Sequence, residues 1–150
     1  MRHRHSRLRL RQKPAHSRAL QRNLVTSVLL YETVRTTKKR AQVVQPIVEH
    51  IITVAKKKLP HIAIRSINAI VTHKNACRKT MEVLKPRYAT RTSGFTRIVA
   101  VGSRIGDGAK LVHLQLVDAE APMAPAEAKV KAKELKKAKT KQRAASKKNP

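Results

Sequence analysis

FTRIVAVGSRIGDGAKLVHLQLV, residues 95–117, is where the period of the chain changes. Two β-rich runs, FTRIVAV (95–101) and LVHLQLV (111–117), flank GSRIGDGAK, which holds three of the chain's four glycines. In the second run Val112, Leu114 and Leu116 alternate with more polar neighbours, the period of a strand with one covered face. Glycine and aspartate between two such runs are turn chemistry, so the segment predicts a β-hairpin.

Upstream the pattern is helical. Pro14 closes an extended opening segment and a helix is predicted from near Ala15. Leu20, Leu24 and Val28 recur at four-residue spacing as its apolar stripe. Arg18 and Arg22 lie roughly 200° round from that stripe. TVRTT (33–37) is short and β-branched, a strand. Thr36 or Thr37 can cap the next helix, KKRAQVVQPIVEHIITVAKKK, in which Pro46 predicts a kink or a division into two helices. Its apolar face is Ile47, Ile51, Val54 and Ala55, with Val48 and Ile52 beside them, and Lys56, Lys57 and Lys58 suit the negative end of its dipole. Pro60 opens another helix, with Ala63, Ile67, Ile70 and Val71 on one face. A short helix over about 74–85 places Cys77, Met81 and Leu84 together and ends at Pro86.

At 150 residues the chain is expected to hold one domain with tails: a basic arm, 1–13; a globular α/β domain, 14–118; and a Lys/Ala-rich tail, 119–150, disordered or transiently helical. The formal charge is +27, from 35 basic and 8 acidic side chains. Such an excess repels itself in the compact state and calls for a polyanion. No apolar run approaches the roughly 20 residues of a membrane span. No apolar stretch follows the opening arginines, so a secretory signal is not expected, although an organellar transit peptide shares their composition. Tyr31, Tyr88 and Phe95 are the only aromatics, so the core must be aliphatic.

Catalysis finds little support. His3, His5 and His16 sit among arginines, which repel a metal cation, and no Cys or carboxylate completes a ligand set. His16 and Ser17 are adjacent on a helix and do not face each other. GSRIGDG has neither the glycine spacing nor the following helix of a phosphate or dinucleotide loop. Cys77 falls on an apolar face, the place of a small buried hydrophobe. The lone cysteine excludes an internal disulfide. Nucleic acid fits better. Eight cations precede the first carboxylate, Glu32. Arginine dominates among them, which suits phosphate contacts and stacking. Neither a helix-turn-helix, a zinc finger nor the aromatic platform of an RNA-recognition sheet is present. A basic arm, an aliphatic core and several basic patches suit folded RNA. A nucleoid-type DNA-compacting protein is the alternative.

The residues also carry a resemblance. MRHR, then HSRALQRNLVTSVLLYETVRTT (16–37), is similar to an Arg-rich opening, an H-R-x-A-L-x-R-N-L helix and an I-x-T-T turn. IVEHIITVAKK (47–57) resembles E-x-L-I-T-L-A-K, and PRYATRTSGFTRIVAVGSRIGDGAKLVHLQLV (86–117) resembles P-R-Y-x-x-R-x-G-G-Y-T-R-I followed by a G-x-R-x-G-D hairpin. Together, in collinear order over about 1–118, these resemble the bacterial large-subunit ribosomal proteins numbered seventeen in the conventional series. Departures are RLRLRQKP without glycine, Ser17 between His16 and Arg18, Ser93-Gly94 for Gly-Gly, Phe95 for Tyr, and Gln115.

The resemblance implies an α/β (α+β) two-layer fold: helices on one face of a small mixed sheet, one strand from about 33–36 and two from the C-terminal hairpin. It implies a structural constituent of the large ribosomal subunit in the cytoplasm, or on an organellar ribosome. Its partners would be large-subunit ribosomal RNA and neighbouring proteins near the exit region; no catalytic site, cofactor or metal is expected. Arg2, His3, Arg4, Arg7, Arg9, Arg11 and Lys13 are then the RNA-binding arm. His16, Arg18, Arg22 and Asn23 continue it along the first helix, and Arg35, Thr36, Thr37 and Lys38 form one phosphate region. Arg87, Tyr88, Arg91 and Arg97 form a second patch, with Tyr88 either stacking on a base or packing, and Arg104 lies in the hairpin.

Overall fold

The computed structural model describes Leu8 and residues 10–118. The arm residues 1–7 and 9 and the tail 119–150 lie outside it. Helix α1 runs Pro14–Tyr31, strand β1 Thr33–Thr37, helix α2 Lys38–Lys57 and helix α3 Pro60–Asn68. Helix α4, Lys74–Lys79, passes through a π-helical turn, Thr80–Leu84, into the single turn α5, Lys85–Arg87. Strands β2, Thr96–Ser103, and β3, Lys110–Leu116, form the hairpin.

The sheet order is β1-β3-β2. Both pairings are antiparallel, so within the expected two-layer fold the sheet is antiparallel where a mixed one was anticipated. The geometry follows from β3 being central: the hairpin fixes β2 antiparallel to it, and β1 enters on the other side in the same direction as β2. Leu116 donates its N–H to the Glu32 carbonyl (2.8 Å), fixing the register as the chain leaves α1. Val34, Leu114 and Ile98 align across the strands, as do Thr36, Val112 and Ala100. Val112, Leu114 and Leu116 are buried under the helices, whereas Arg35 and Arg97, on the alternate positions, are exposed. Helices therefore cover one face and leave the other open.

The core joins Val25, Val28 and Leu29 of α1 to Val44, Val48, Ile51, Ile52 and Ala55 of α2 and to the β3 residues. Each Val, Leu or Ile side chain among them stabilises the fold by about 1.5–3 kcal/mol through burial. Tyr88 and Phe95 close one end, their ring centroids 5.2 Å apart and tilted by 54°. Tyr88 also donates its hydroxyl to the Val117 carbonyl. Tyr88→Phe is expected to cost about 1 kcal/mol. A urea titration reads this as a lower midpoint at unchanged slope.

Three local expectations need correction. The buried stripe of α1 is Val25, Thr26, Val28 and Leu29, with Leu24 at its edge and Leu20 only half-buried, because burial is confined to the C-terminal half of the helix. Of the kink or division expected at Pro46, the division does not occur: α2 is one helix, Lys38–Lys57. That proline is exposed, so water can serve the carbonyl one turn back, while Val44 and Val48 hold both sides of it in the core. The 74–85 helix does not stop at Pro86. The π-turn carries Lys85 N–H to Thr80 O, and Pro86 sits in the first turn of α5, where a missing N–H is tolerated.

Candidate nucleic-acid interface

Five carboxylates lie in the described residues, and each is engaged within the fold. Glu32 accepts from Lys79 Nζ (2.6 Å) and Arg87 Nη1 (2.7 Å). Glu49 accepts from the Thr96 hydroxyl (3.0 Å). Glu82 pairs with Arg78 (2.9 Å), Asp118 with Arg91 (3.8 Å), and Asp107 with Arg104. Burial alone would raise the Glu32 carboxyl, but the hydrogen bonds from Arg87 and Lys79 outweigh it and hold the group below its ordinary range. The hydrogen bond from Arg104 likewise holds Asp107 well below the usual carboxylate range.

These pairs divide the anticipated residues into two kinds. Arg87 is committed to Glu32, and Arg104 to Asp107. Tyr88 is 1 % exposed. Of the two roles weighed for it, packing is the one its burial allows, since a ring inside the core has no face for a base. Arg91 donates to Gly94 O (3.0 Å), helping to close the turn before β2. Arg22 is exposed, but its guanidinium reaches Ala69 O (2.7 Å) and Ile70 O (3.1 Å), serving carbonyls at the end of α3.

The second kind faces outward. Arg11, Lys13, His16, Arg18 and Asn23 are exposed along the entry to α1 and its first turns. Arg35 and Arg97 stand on the open face of the sheet, opposite His113 and Gln115 of β3. Among the described residues His113 Nδ1 is the buried side-chain polar atom without a hydrogen-bond partner. At the start of α2, Thr37 is the N-cap residue but its hydroxyl makes no capping bond, and Lys38 and Lys39 are exposed beside it. Arg2, His3, Arg4, Arg7 and Arg9 lie outside the described residues.

Some of this was missed in the sequence. Lys39 and Arg40 continue the cationic run at the start of α2, and the KKR triplet was a sufficient signal. Lys79, which also donates to Leu30 O (2.8 Å), completes the Glu32 cluster; no local pattern announces a contact made across 47 positions. Cys77 is buried, and burial pushes its thiol up, as suits a packed side chain. The described residues hold no cluster of three potential metal ligands and no helix long and apolar enough to cross a membrane.

Comparison with known proteins matches the same body of the chain. A family model described as ribosomal protein L17 matches residues 20–117. The large ribosomal subunit protein bL17 of Chloroflexus aggregans is 36% identical over 117 residues, covering 78% of this chain and 100% of that protein. The bL17 of Trichlorobacter lovleyi is 38% identical over 122 residues, 81% of this chain and 98% of the relative. That of Clostridium botulinum is 43% identical over 100 residues, 67% and 88% of the two chains. A helix-covered sheet with a terminal hairpin, an excess of outward cations over internally paired acids, and these matches over most of the chain agree: the protein belongs to the ribosomal protein L17 family.

Proposed function

We propose that the chain is a structural constituent of the large ribosomal subunit that binds large-subunit ribosomal RNA, beside other proteins near the exit region, in the cytoplasm. The supporting observation is the charge arrangement. Every described carboxylate is used within the fold, so the exposed cations remain for an external polyanion. The arm, residues 1–13, supplies phosphate contacts through Arg2, Arg4, Arg7, Arg9, Arg11 and Lys13 and orders on the RNA, with His3 and His16 beside them. Arg18 and Asn23 extend that track on α1. Arg35 and Arg97 on the open sheet face, with Thr36 and Thr37 at the end of β1 and Lys38 at the start of α2, form a second contact region. Residues 14–118 act as the folded body and 119–150 as a basic tail.

Sedimentation of tagged protein from a lysate, before and after a moderate salt wash, tests the function. Retention with the large subunit after the wash is expected. Release into light fractions, or co-migration with DNA, would return the charge to nonspecific binding. Arg35→Ala with Arg97→Ala tests the sheet face. Each is expected to lower the salt slope of RNA binding by about 0.7–0.9. Because both side chains are exposed, the unfolding midpoint should stay within about 0.5 kcal/mol of the parent. A slope unaltered in the double variant would remove the sheet face from the interface.

A further inference from the structure

The outer half of the hairpin departs from the rest of the molecule in charge. Between Ile98 and Ala109 the charged side chains are Arg104 and Asp107, which pair with each other, so the segment is neutral in a chain of +27. It is also uncovered. Residues 99–108 are all exposed, Val99 by 39%, Val101 by 43% and Ile105 by 101%. The tip is nevertheless built. Arg104 N–H donates to Ala109 O (2.9 Å) and Gly108 N–H to Arg104 O (3.0 Å), with Arg104 Nε on Asp107 Oδ1 (2.9 Å). This frame holds Ile105 outward on a closed turn.

We propose that this half of the hairpin docks into an apolar, uncharged pocket of a neighbouring protein of the subunit, with Ile105 as the anchor. The proposal rests on the ribosomal reading above and names the partner class of a surface that reading leaves unassigned. Charge decides between protein and RNA. An RNA-facing tip would carry surplus cations, whereas here the one arginine is neutralised by Asp107 and offers phosphate no net charge. Apolar side chains framed by a polar, charge-balanced turn match the core and rim of a protein interface. The bulge between Ala100 and Gly102 interrupts the free edge of β2, which disfavours addition of a partner strand and favours side-chain insertion.

The test places a benzophenone side chain at position 105 (Ile105→p-benzoylphenylalanine) in the full chain. Large subunits assembled with it are salt-washed, irradiated and mapped. Adducts on a ribosomal protein, on a peptide rich in apolar residues, are expected. Adducts on RNA, or none, overturn the proposal. The same group in place of Arg97 should label RNA; its failure there would count against the RNA-binding reading and leave the hairpin result intact. A second variant, Ile105→Asp, should be released from salt-washed subunits about tenfold faster. The salt slope of binding to bare RNA should be unaltered, because no phosphate contact is removed. Unchanged release, or a shifted slope, refutes docking into protein.

Discussion

Deleting residues 2–13 is expected to weaken binding to large-subunit ribosomal RNA by about a hundredfold or more near physiological salt. The slope of log affinity against log salt should become shallower by about 4–5. The reasoning is electrostatic. The deletion removes six Arg or Lys side chains and no acid. Each phosphate neutralised releases counterions worth roughly 0.7–0.9 in the slope. Since the cut falls before Pro14, the helical body should keep its circular dichroism. One contact needs a control: Ser17 N–H donates to the Lys13 carbonyl (2.9 Å), so the truncation also exposes the first turn of α1. A full-length variant with Arg2, Arg4, Arg7, Arg9, Arg11 and Lys13 all replaced by glutamine keeps that carbonyl and should reproduce the shallower slope. If both variants bind with the parental slope, the arm is not the phosphate binder, and the weight shifts to α1, the sheet face and the start of α2.

The readable parts of the fold were those decided locally. The 95–117 stretch yields a hairpin because alternation and glycine-rich turn chemistry act over a few residues. The strand at 33–37 and the proline-led starts of α1 and α3 are also local. The departures arise where tertiary packing overrides local propensity. Pro46 and Pro86 are helix breakers by propensity, yet each lies within helical structure because packing on both sides and a π-turn hold the backbone. Of the expected α1 stripe, Val28 is buried and Leu24 packs against the core, while Leu20 is only half-buried because burial depends on which half of the helix is covered.

The site divides in the same way. That the chain carries a cationic surface was legible from the charge excess and from the distance to the first acid. Which arginines make contacts within the fold was not. Arg87, Arg91 and Arg104 differ little from Arg35 and Arg97 as letters, but the first three have internal partners and the last two stand exposed on a sheet face. Tyr88 shows the point most sharply. Beside arginines in the sequence, its ring could stack on a base or pack, and its burial in the core, 1% exposed, is decided by contacts that no local pattern shows.

Glu32→Ala is expected to destabilise the free protein by about 3 kcal/mol, a large fraction of the 5–15 kcal/mol typical of a domain. The carboxylate is 13% exposed and receives both Lys79 and Arg87, so its removal leaves two largely buried cations facing each other. Glu32 also ends α1 in the left-handed region, at φ 62°, and carries the carbonyl that anchors β3. A non-glycine residue there costs about 1 kcal/mol. Glu32→Gly should therefore be less damaging than Glu32→Ala, by up to that amount, although both lose the ion cluster. Acid supplies an independent check. The folded-state value of Glu32 lies below the unfolded one, so the unfolded chain binds this proton more readily. The contribution is complete above the ordinary glutamate range and is lost as pH falls through the lower, folded value. Urea midpoints of the parent and Glu32→Gln should thus be widely separated at neutral pH and converge in acid. A separation that persists unchanged to low pH would mean the shape of the side chain matters there and its charge does not.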